Sequence, residues 1–145
     1  MSFTIRIKNG PALSSDVPVT GKSVLAESRA DGSDNVVAWR VNNYLRSLDW
    51  IIEEDADVEF IDTSSFEGME VYRRSLSFMF VLACRRTLEK DVILRHSISE
   101  GYYWESVDGS FSLEDAEAVK KSLSDLVAKD LPFVRKVVSI DKAKR

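Results

Sequence analysis

The tetrad TGKS at residues 20–23 has the residue types of a phosphate-binding loop. In such a loop, glycines at both ends of an eight-residue turn let successive backbone N–H groups surround phosphate oxygens. The first glycine should stand five residues before Gly21, where Asp16 places a carboxylate instead. Pro18 interrupts the segment that should be a buried strand leading into the loop. The tetrad is therefore interpreted as a helix start with Ser23 as its N-cap, and phosphate binding is left as the alternative.

The chain has one histidine, His96, and one cysteine, Cys84. A zinc site takes three or four protein ligands, drawn mainly from cysteine, histidine and carboxylates, so this pair falls short. Cys84 ends the apolar run FMFVLAC, which favours a buried, unreactive thiol over a nucleophile. We therefore predict no metal ligand, no catalytic residue and no cofactor in this chain.

The overall composition is that of a globular protein with an acidic balance. Of the 145 residues, 44% are hydrophobic and 30% are charged, and the formal net charge is −4. This balance argues against indiscriminate coating of nucleic acid but leaves room for a local basic patch. The longest apolar run, 78–84, is far shorter than the roughly 20 residues that span a bilayer. We expect a cytoplasmic location and no membrane partner.

The first sixty residues have the pattern of a small sheet with one helix. Apolar and polar residues alternate over 3–8 ahead of an Asn-Gly pair, which predicts a strand entering a hairpin. A short helix is predicted over 23–29, a polar loop over 29–34, and strands over 36–41 and 58–62. Together these elements indicate one small α+β unit.

The hydrophobic period changes after residues 63–65, which we interpret as a hinge. The elements predicted beyond it are a helix over 67–88, strands over 92–94 and 101–104, a helix over 112–129 and a final strand over 133–138. Ser112 and Asp115 have the spacing of a capping box at the start of the second helix. The second half is therefore also predicted to be α+β.

Two stretches of the first half, KSVLAES (22–28) and VVAWRVNNYLRSLDWIIEEDADVEFID (36–62), resemble the TGS domain. That domain is a β-grasp fold found in threonyl-tRNA synthetases, several GTPases and stringent-response enzymes. In TGS domains a similar Gly-Lys segment, followed by Val-Leu, starts the helix that the sheet grasps. The resemblance implies a TGS-like β-grasp domain over 1–62 and again makes the tetrad a helix cap.

The second half resembles the editing domain of threonyl- and alanyl-tRNA synthetases. The matching segments are GYYWE (101–105) and SLEDAEAVKKSLSDLVAKDLPFVRKVVSIDKA (112–143). The resemblance implies that 67–145 form a second additional, editing-type α+β unit of a threonyl-tRNA synthetase.

The helix segment YRRSLSFMF (72–80) departs from that family. The synthetases carry two histidines four residues apart on this helix, where this chain has none, and arginine cannot be a metal ligand. In this respect the chain resembles uridine or nucleoside kinases that carry two synthetase-like domains ahead of a kinase domain. That resemblance implies a non-catalytic regulatory or RNA-binding region, truncated ahead of a kinase domain that would need ATP and Mg²⁺. The alternative is a free-standing protein related to aminoacyl-tRNA editing, a deacylase.

If the editing-domain arrangement persists, polar residues of the first long helix and the strand pair are predicted to converge on a cleft. The candidate ligand-binding residues are Arg73, Arg74, Arg95, His96, Tyr102, Tyr103 and Glu105. Along GYYWE, strand alternation places Tyr103 and Glu105 on one face and Tyr102 and Trp104 on the other. We expect RNA or a nucleotide, or the protein's own kinase domain, as the partner. In the alternative, the arginines form only a solvated rim.

A second candidate surface lies in the TGS-like half, where Trp39, Arg40, Tyr44 and Arg46 would touch RNA or a protein partner. In the alternative, Trp39 is a core residue of its strand.

Overall fold

The computed structural model describes residues 2–28, 35–99 and 101–143. It divides the chain into two compact units, Met1–Leu76 and Ser77–Arg145. The predicted loop 29–34 and the last residue of the predicted helix 23–29 lie outside the described residues. No helix in the described parts of the chain is both long enough and apolar enough to cross a bilayer.

The first unit is built on a mixed five-stranded sheet. Its elements are β1 (Phe3–Ile7), β2 (Ala12–Ser15), β3 (Val19–Thr20), α1 (Gly21–Ser28), β4 (Val36–Val41), β5 (Tyr44–Arg46), β6 (Ile51–Ile52), β7 (Ala56–Asp62) and the beginning of α2 (Phe66–Leu88). The strand order is β2-β1-β7-β4-β5, and β3 pairs separately with β6. The central pair, β1 and β7, is parallel, and the other pairs are antiparallel.

One cluster of apolar side chains forms the core of this unit. Its buried members are Phe3, Ile5, Val24, Trp39, Val41, Ile52, Ala56 and Val58. Trp39 is fully buried, and its indole N–H donates to the carbonyl of Ser47 at 3.0 Å. The indole therefore fills the core without leaving its polar atom unpaired.

The beginning of α2 is anchored within the first unit. The Ser65 hydroxyl accepts from the Gly68 backbone N–H at 3.1 Å and donates to the carbonyl of Asp62 at 2.8 Å. A Cβ added to Gly68 would lie 1.8 Å from that Asp62 carbonyl oxygen, so only glycine permits the approach of helix to strand. On β4, the Arg40 guanidinium contacts both Glu59 and Glu67.

These contacts place the beginning of α2 in the first unit. The boundary between the two compact units lies between Leu76 and Ser77, inside α2, and the hinge at 63–65 remains a prediction. The first turns of the helix belong to the first unit because Gly68 and Glu67 tie them to it. The assignment of 1–62 and 67–145 as separate domains remains a prediction.

The second unit contains a two-stranded hairpin and a long helix. Its elements are the part of α2 from Ser77 onward, β8 (Val92–Ile98), β9 (Gly101–Ser106), α3 (Leu113–Ala128) and α4 (Ile140–Ala143). Its buried core is small, consisting of Ala83, Cys84, Val119 and Leu126. The predicted capping box is present at the start of α3: Ser112 and Asp115 each accept the other's backbone N–H at 3.0 Å.

The predicted strand over 133–138 is wrong. Residues 131–139 have no strand pairing, and their side chains are exposed, with Val137 at 88%. Valine and phenylalanine fit a strand locally, but a strand also needs a neighbour with which to form backbone hydrogen bonds. The described residues supply none for this segment, and the chain instead enters the one-turn helix α4.

At the level of fold class, the prediction of a mixed α+β protein is confirmed. The predicted long helices over 67–88 and 112–129 correspond to α2 and α3, with ends that differ by one residue. The more specific assignments of the two halves, to a TGS-like β-grasp domain and to an editing-type unit, remain predictions.

Candidate functional site

The TGKS tetrad is a helix cap whose glycine serves packing. The Thr20 hydroxyl accepts from the Ser23 backbone N–H at 3.3 Å, and the Ser23 hydroxyl accepts from the Thr20 backbone N–H at 3.0 Å. The helix begins at Gly21, so Thr20 is the N-cap and the prediction of Ser23 in that role is wrong. A Cβ on Gly21 would lie 2.9 Å from ring atoms of Trp39, which is why the chain needs glycine there.

Lys22 also makes its contacts within the first unit. Its ammonium lies 2.8 Å from the carboxylate of Asp49, and its backbone N–H donates to the carbonyl of Leu48 at 3.1 Å. Together with the carboxylate of Asp16, these contacts leave the phosphate-loop alternative without support.

Substitutions in the tetrad compare the packing of Gly21 with the surface ion pair of Lys22. We expect Gly21→Ala to lower the free energy of unfolding by about 1–3 kcal/mol, because the methyl group overpacks against the buried Trp39 ring. Lys22→Ala should change the free energy of unfolding by no more than about 0.5 kcal/mol, because the side chains of both partners in its ion pair, Lys22 and Asp49, are exposed. Urea unfolding followed by circular dichroism measures both. A Gly21→Ala protein as stable as the natural one would contradict the packing role.

The β8–β9 hairpin contains a bulge that determines which residues share a face. Leu94 lies opposite Trp104 and His96 lies opposite Tyr103, so Arg95 is the extra residue on β8. With regular pairing, His96 would lie opposite Tyr102 and on the Trp104 face. The bulge therefore brings His96 beside Tyr103.

Four of the candidate residues form one cluster, which we name the hairpin face: Arg95, His96, Tyr103 and Glu105. The Arg95 Nε lies 2.5 Å from a carboxylate oxygen of Glu105. The His96 and Tyr103 rings are stacked, with centroids 5.0 Å apart and planes 29° apart. On the opposite side, the Trp104 ring packs on Phe80 at 5.0 Å. The predicted alternation of GYYWE is therefore present.

The hairpin face combines flat rings with a cation. Tyr103 is 45% exposed, and the Arg95 and Glu105 side chains are 52% and 42% exposed. An ion pair this exposed contributes at most about 1 kcal/mol to stability, so its presence has no strong structural reason. Exposed aromatic rings beside a guanidinium are suited to stacking on bases and to pairing with phosphate.

The two remaining arginines belong to the first unit. Arg74 lies 3.7 Å from Glu70, one turn earlier on α2, and its side chain is 78% exposed. Arg73 is half-buried. Their participation in a common cleft with the hairpin face remains a prediction.

The groups that could carry covalent or metal chemistry are not assembled. Cys84 is fully buried, and burial raises the pKa of its thiol, which disfavours the nucleophilic thiolate. In the described ranges, no three histidine, cysteine or carboxylate side chains lie together as metal ligands would. That the chain has no catalytic residue and no cofactor remains a prediction.

On the first unit, the sequence identified only part of the exposed cluster. Trp39 is buried and Arg40 is engaged by two glutamates, which leaves Tyr44 and Arg46. The Arg46 guanidinium carbon lies 4.5 Å from the centre of the Trp50 ring and 5.3 Å from that of Tyr44. Sequence analysis missed Trp50, because residues 47–50 form a turn that only the fold reveals.

The known proteins to which the chain is similar belong to one class. No protein-family profile matches the chain. It is 30% identical over 143 residues to the threonine–tRNA ligase of Herminiimonas arsenicoxydans, an alignment covering 97% of the chain and 22% of the ligase. It is 31% identical over 141 residues to that of Azoarcus sp. BH72, covering 96% and 22%. It is 32% identical over 131 residues to that of Acidithiobacillus ferrooxidans, covering 87% and 20%.

The chain is thus similar over nearly its whole length to threonine–tRNA ligases, of which it spans about a fifth. The predicted resemblance to these synthetases is confirmed at that level. The prediction of a uridine kinase-like protein, with a kinase domain as partner, is wrong. The kinase prediction depended on the absence of two histidines from one helix. That absence affects the chemistry possible at this position, but it does not indicate to which class of protein the chain is related.

Proposed function

We propose that this chain is a tRNA-binding region of threonyl-tRNA-synthetase type. The observation that carries the proposal is the similarity of 97% of the chain to a protein named threonine–tRNA ligase. In this proposal the first unit is a TGS-like β-grasp domain, and the second contains part of an editing-type unit. The order of strands in the first unit, with its parallel β1–β7 pair, supports the β-grasp assignment.

The distribution of charge favours the second unit as the RNA-binding part. Residues 1–76 contain eight lysines and arginines against thirteen aspartates and glutamates, whereas residues 77–145 contain twelve against eleven. The net negative charge of residues 1–76 repels a phosphate backbone, whereas the nearly neutral charge of residues 77–145 does not. The hairpin face lies in the second unit.

The hairpin face is suited to an unpaired RNA end. Single-stranded nucleotides expose their bases, which stack on aromatic side chains, while arginine pairs with phosphate. Tyr103 and His96 offer the rings, and Arg95 offers the cation. Arg73 and Arg74 are proposed separately, as phosphate contacts of the first unit.

We propose binding without hydrolysis and without a resident cofactor. The two histidines that the editing resemblance would require on α2 are absent from 72–80. Relatedness to editing proteins nevertheless fits the comparisons better than kinase relatedness does. If the chain alone deacylated misacylated tRNA, the proposal of binding without hydrolysis would be wrong.

Substitutions on the hairpin face test the proposal. With tRNA specific for threonine, labelled at its 5′ end so that the unpaired 3′ end stays free, we expect Tyr103→Ala and Arg95→Ala each to weaken binding by roughly 5- to 150-fold. One lost stacking contact is worth about 1–3 kcal/mol, and one lost charged hydrogen bond about 1.5–3 kcal/mol. Fluorescence anisotropy measures the affinity.

Two further variants sharpen the test. Phe111→Ala is the matched control, because Phe111 is an aromatic residue of the same unit with similar exposure, 40%. Glu105→Gln should strengthen binding, because it removes the carboxylate that competes with phosphate for Arg95. If the natural chain binds this tRNA no better than the Arg95→Ala/Tyr103→Ala variant does, the hairpin face is not the binding site.

A further inference from the structure

Tyr44, Arg46 and Trp50 form an exposed cluster, the aromatic–arginine patch, in the first unit. The half-buried Arg46 guanidinium lies over both rings, Tyr44 is 66% exposed and Trp50 is 46% exposed. Tyr44 and Arg46 belong to β5, which is one of the two edge strands of the five-stranded sheet. The core of the unit is complete without the patch, since no member of the patch belongs to it.

The surroundings of the patch are apolar and acidic. Ile51, which follows Trp50 in the chain, is 55% exposed. Trp50 and Ile51 line an open cavity of about 430 Å³ together with Glu53 and Glu54, and none of the described lysines or arginines lines it. Among the described residues, neither glutamate forms an ion pair. The cavity is therefore lined by one aromatic side chain, several apolar ones and two carboxylates without an ion-pair partner in the described part of the chain.

This chemistry selects protein over RNA as the occupant. Tryptophan, tyrosine and arginine are the residue types that contribute most at protein–protein interfaces. Protein surfaces that bind nucleic acid are strongly basic, whereas this unit has an excess of five acidic residues. A cation from a partner would meet the two carboxylates beside the Trp50 side chain, whereas a phosphate would be repelled by Glu53 and Glu54.

We propose that the aromatic–arginine patch and the adjoining cavity form a docking site for a protein segment that alternates basic and apolar residues. The apolar side chains of the segment cover Tyr44 and Ile51. Its lysine or arginine enters the cavity between Trp50 and the two glutamates. This site is separate from the hairpin face and independent of tRNA binding.

The test uses three defined probes on the full chain. They are an acetylated octapeptide alternating leucine and arginine, the same peptide with glutamate in place of arginine, and unstructured octauridylate RNA. The readout is the NMR resonance of the Trp50 indole N–H, assigned by its loss in Trp50→Phe. We expect the arginine peptide to shift this resonance saturably, and the glutamate peptide and octauridylate to leave it unchanged.

Variants decide whether the peptide uses the proposed contacts. Tyr44→Ala/Trp50→Ala should weaken binding of the arginine peptide at least tenfold, and Glu53→Gln/Glu54→Gln at least threefold. Phe66→Ala is the matched control, since Phe66 is an aromatic residue of the same unit that is 82% exposed, and it should change nothing. Unchanged affinity in both double variants would overturn the proposal. So would a Trp50 shift caused by octauridylate and not by the arginine peptide.

Discussion

Replacing Gly68 with alanine is expected to lower the free energy of unfolding by about 3 kcal/mol. The new Cβ would lie 1.8 Å from the carbonyl oxygen of Asp62 and 2.6 Å from its carbonyl carbon. Both are backbone atoms at the end of β7, so no side-chain rotation relieves the clash. Either the strand end or the first turn of α2 must move, and the Ser65 cap is lost with it.

Gly101→Ala is the control for this prediction. A Cβ at Gly101 would meet only the carbonyl oxygen of Ile98, at an ordinary contact distance of 3.5 Å. We expect this variant to remain within about 0.5 kcal/mol of the natural protein. Urea unfolding followed by circular dichroism compares the two. Equal stability of the Gly68 and Gly101 variants would mean that α2 does not approach β7 as described.

Replacing Trp39 with alanine is expected to lower the free energy of unfolding by about 4 kcal/mol. The side chain is fully buried and stacks on Phe60 with centroids 6.3 Å apart, and a Cβ added to Gly21 at the start of α1 would lie 2.9 Å from its ring. Removal leaves a cavity between sheet and helix and an unpaired carbonyl at Ser47. The same unfolding experiment measures the loss.

Trp50→Ala provides the comparison of the same residue type at an exposed position. It removes a cation–π contact worth about 0.5–1 kcal/mol and little buried surface. A Trp39→Ala protein that keeps its stability but loses RNA binding would restore Trp39 as a surface residue of the TGS-like half, and would contradict the core described here.

Features determined by near neighbours in the chain were predictable from the sequence. The capping box of α3 joins Ser112 to Asp115, three residues apart, and needs no other part of the fold. The faces of GYYWE follow from the alternation of a strand alone. The long helices α2 and α3 were similarly predictable from their hydrophobic period.

Features determined by distant contacts were not predictable. Thr20 and Ser23 are both able to cap a helix, and the packing of Gly21 on Trp39 decides between them. The bulge at Arg95 moves His96 to the Tyr103 face, although nothing in the residue types marks it. The segment 133–138 has strand-forming residues but no neighbouring strand. In each case the deciding partner lies elsewhere in the chain.

The most direct test of tRNA binding by the hairpin face is an NMR titration of the full chain with an RNA minihelix. The minihelix reproduces an acceptor stem and carries an unpaired 3′ end, and a blunt-ended minihelix serves as the control. We predict saturable backbone amide shifts that are largest at Arg95, His96, Tyr103 and Glu105, small at Trp50, and much weaker with the blunt RNA. The absence of saturable shifts would contradict the proposed function, and shifts centred on Tyr44 and Trp50 would contradict the hairpin face as its site.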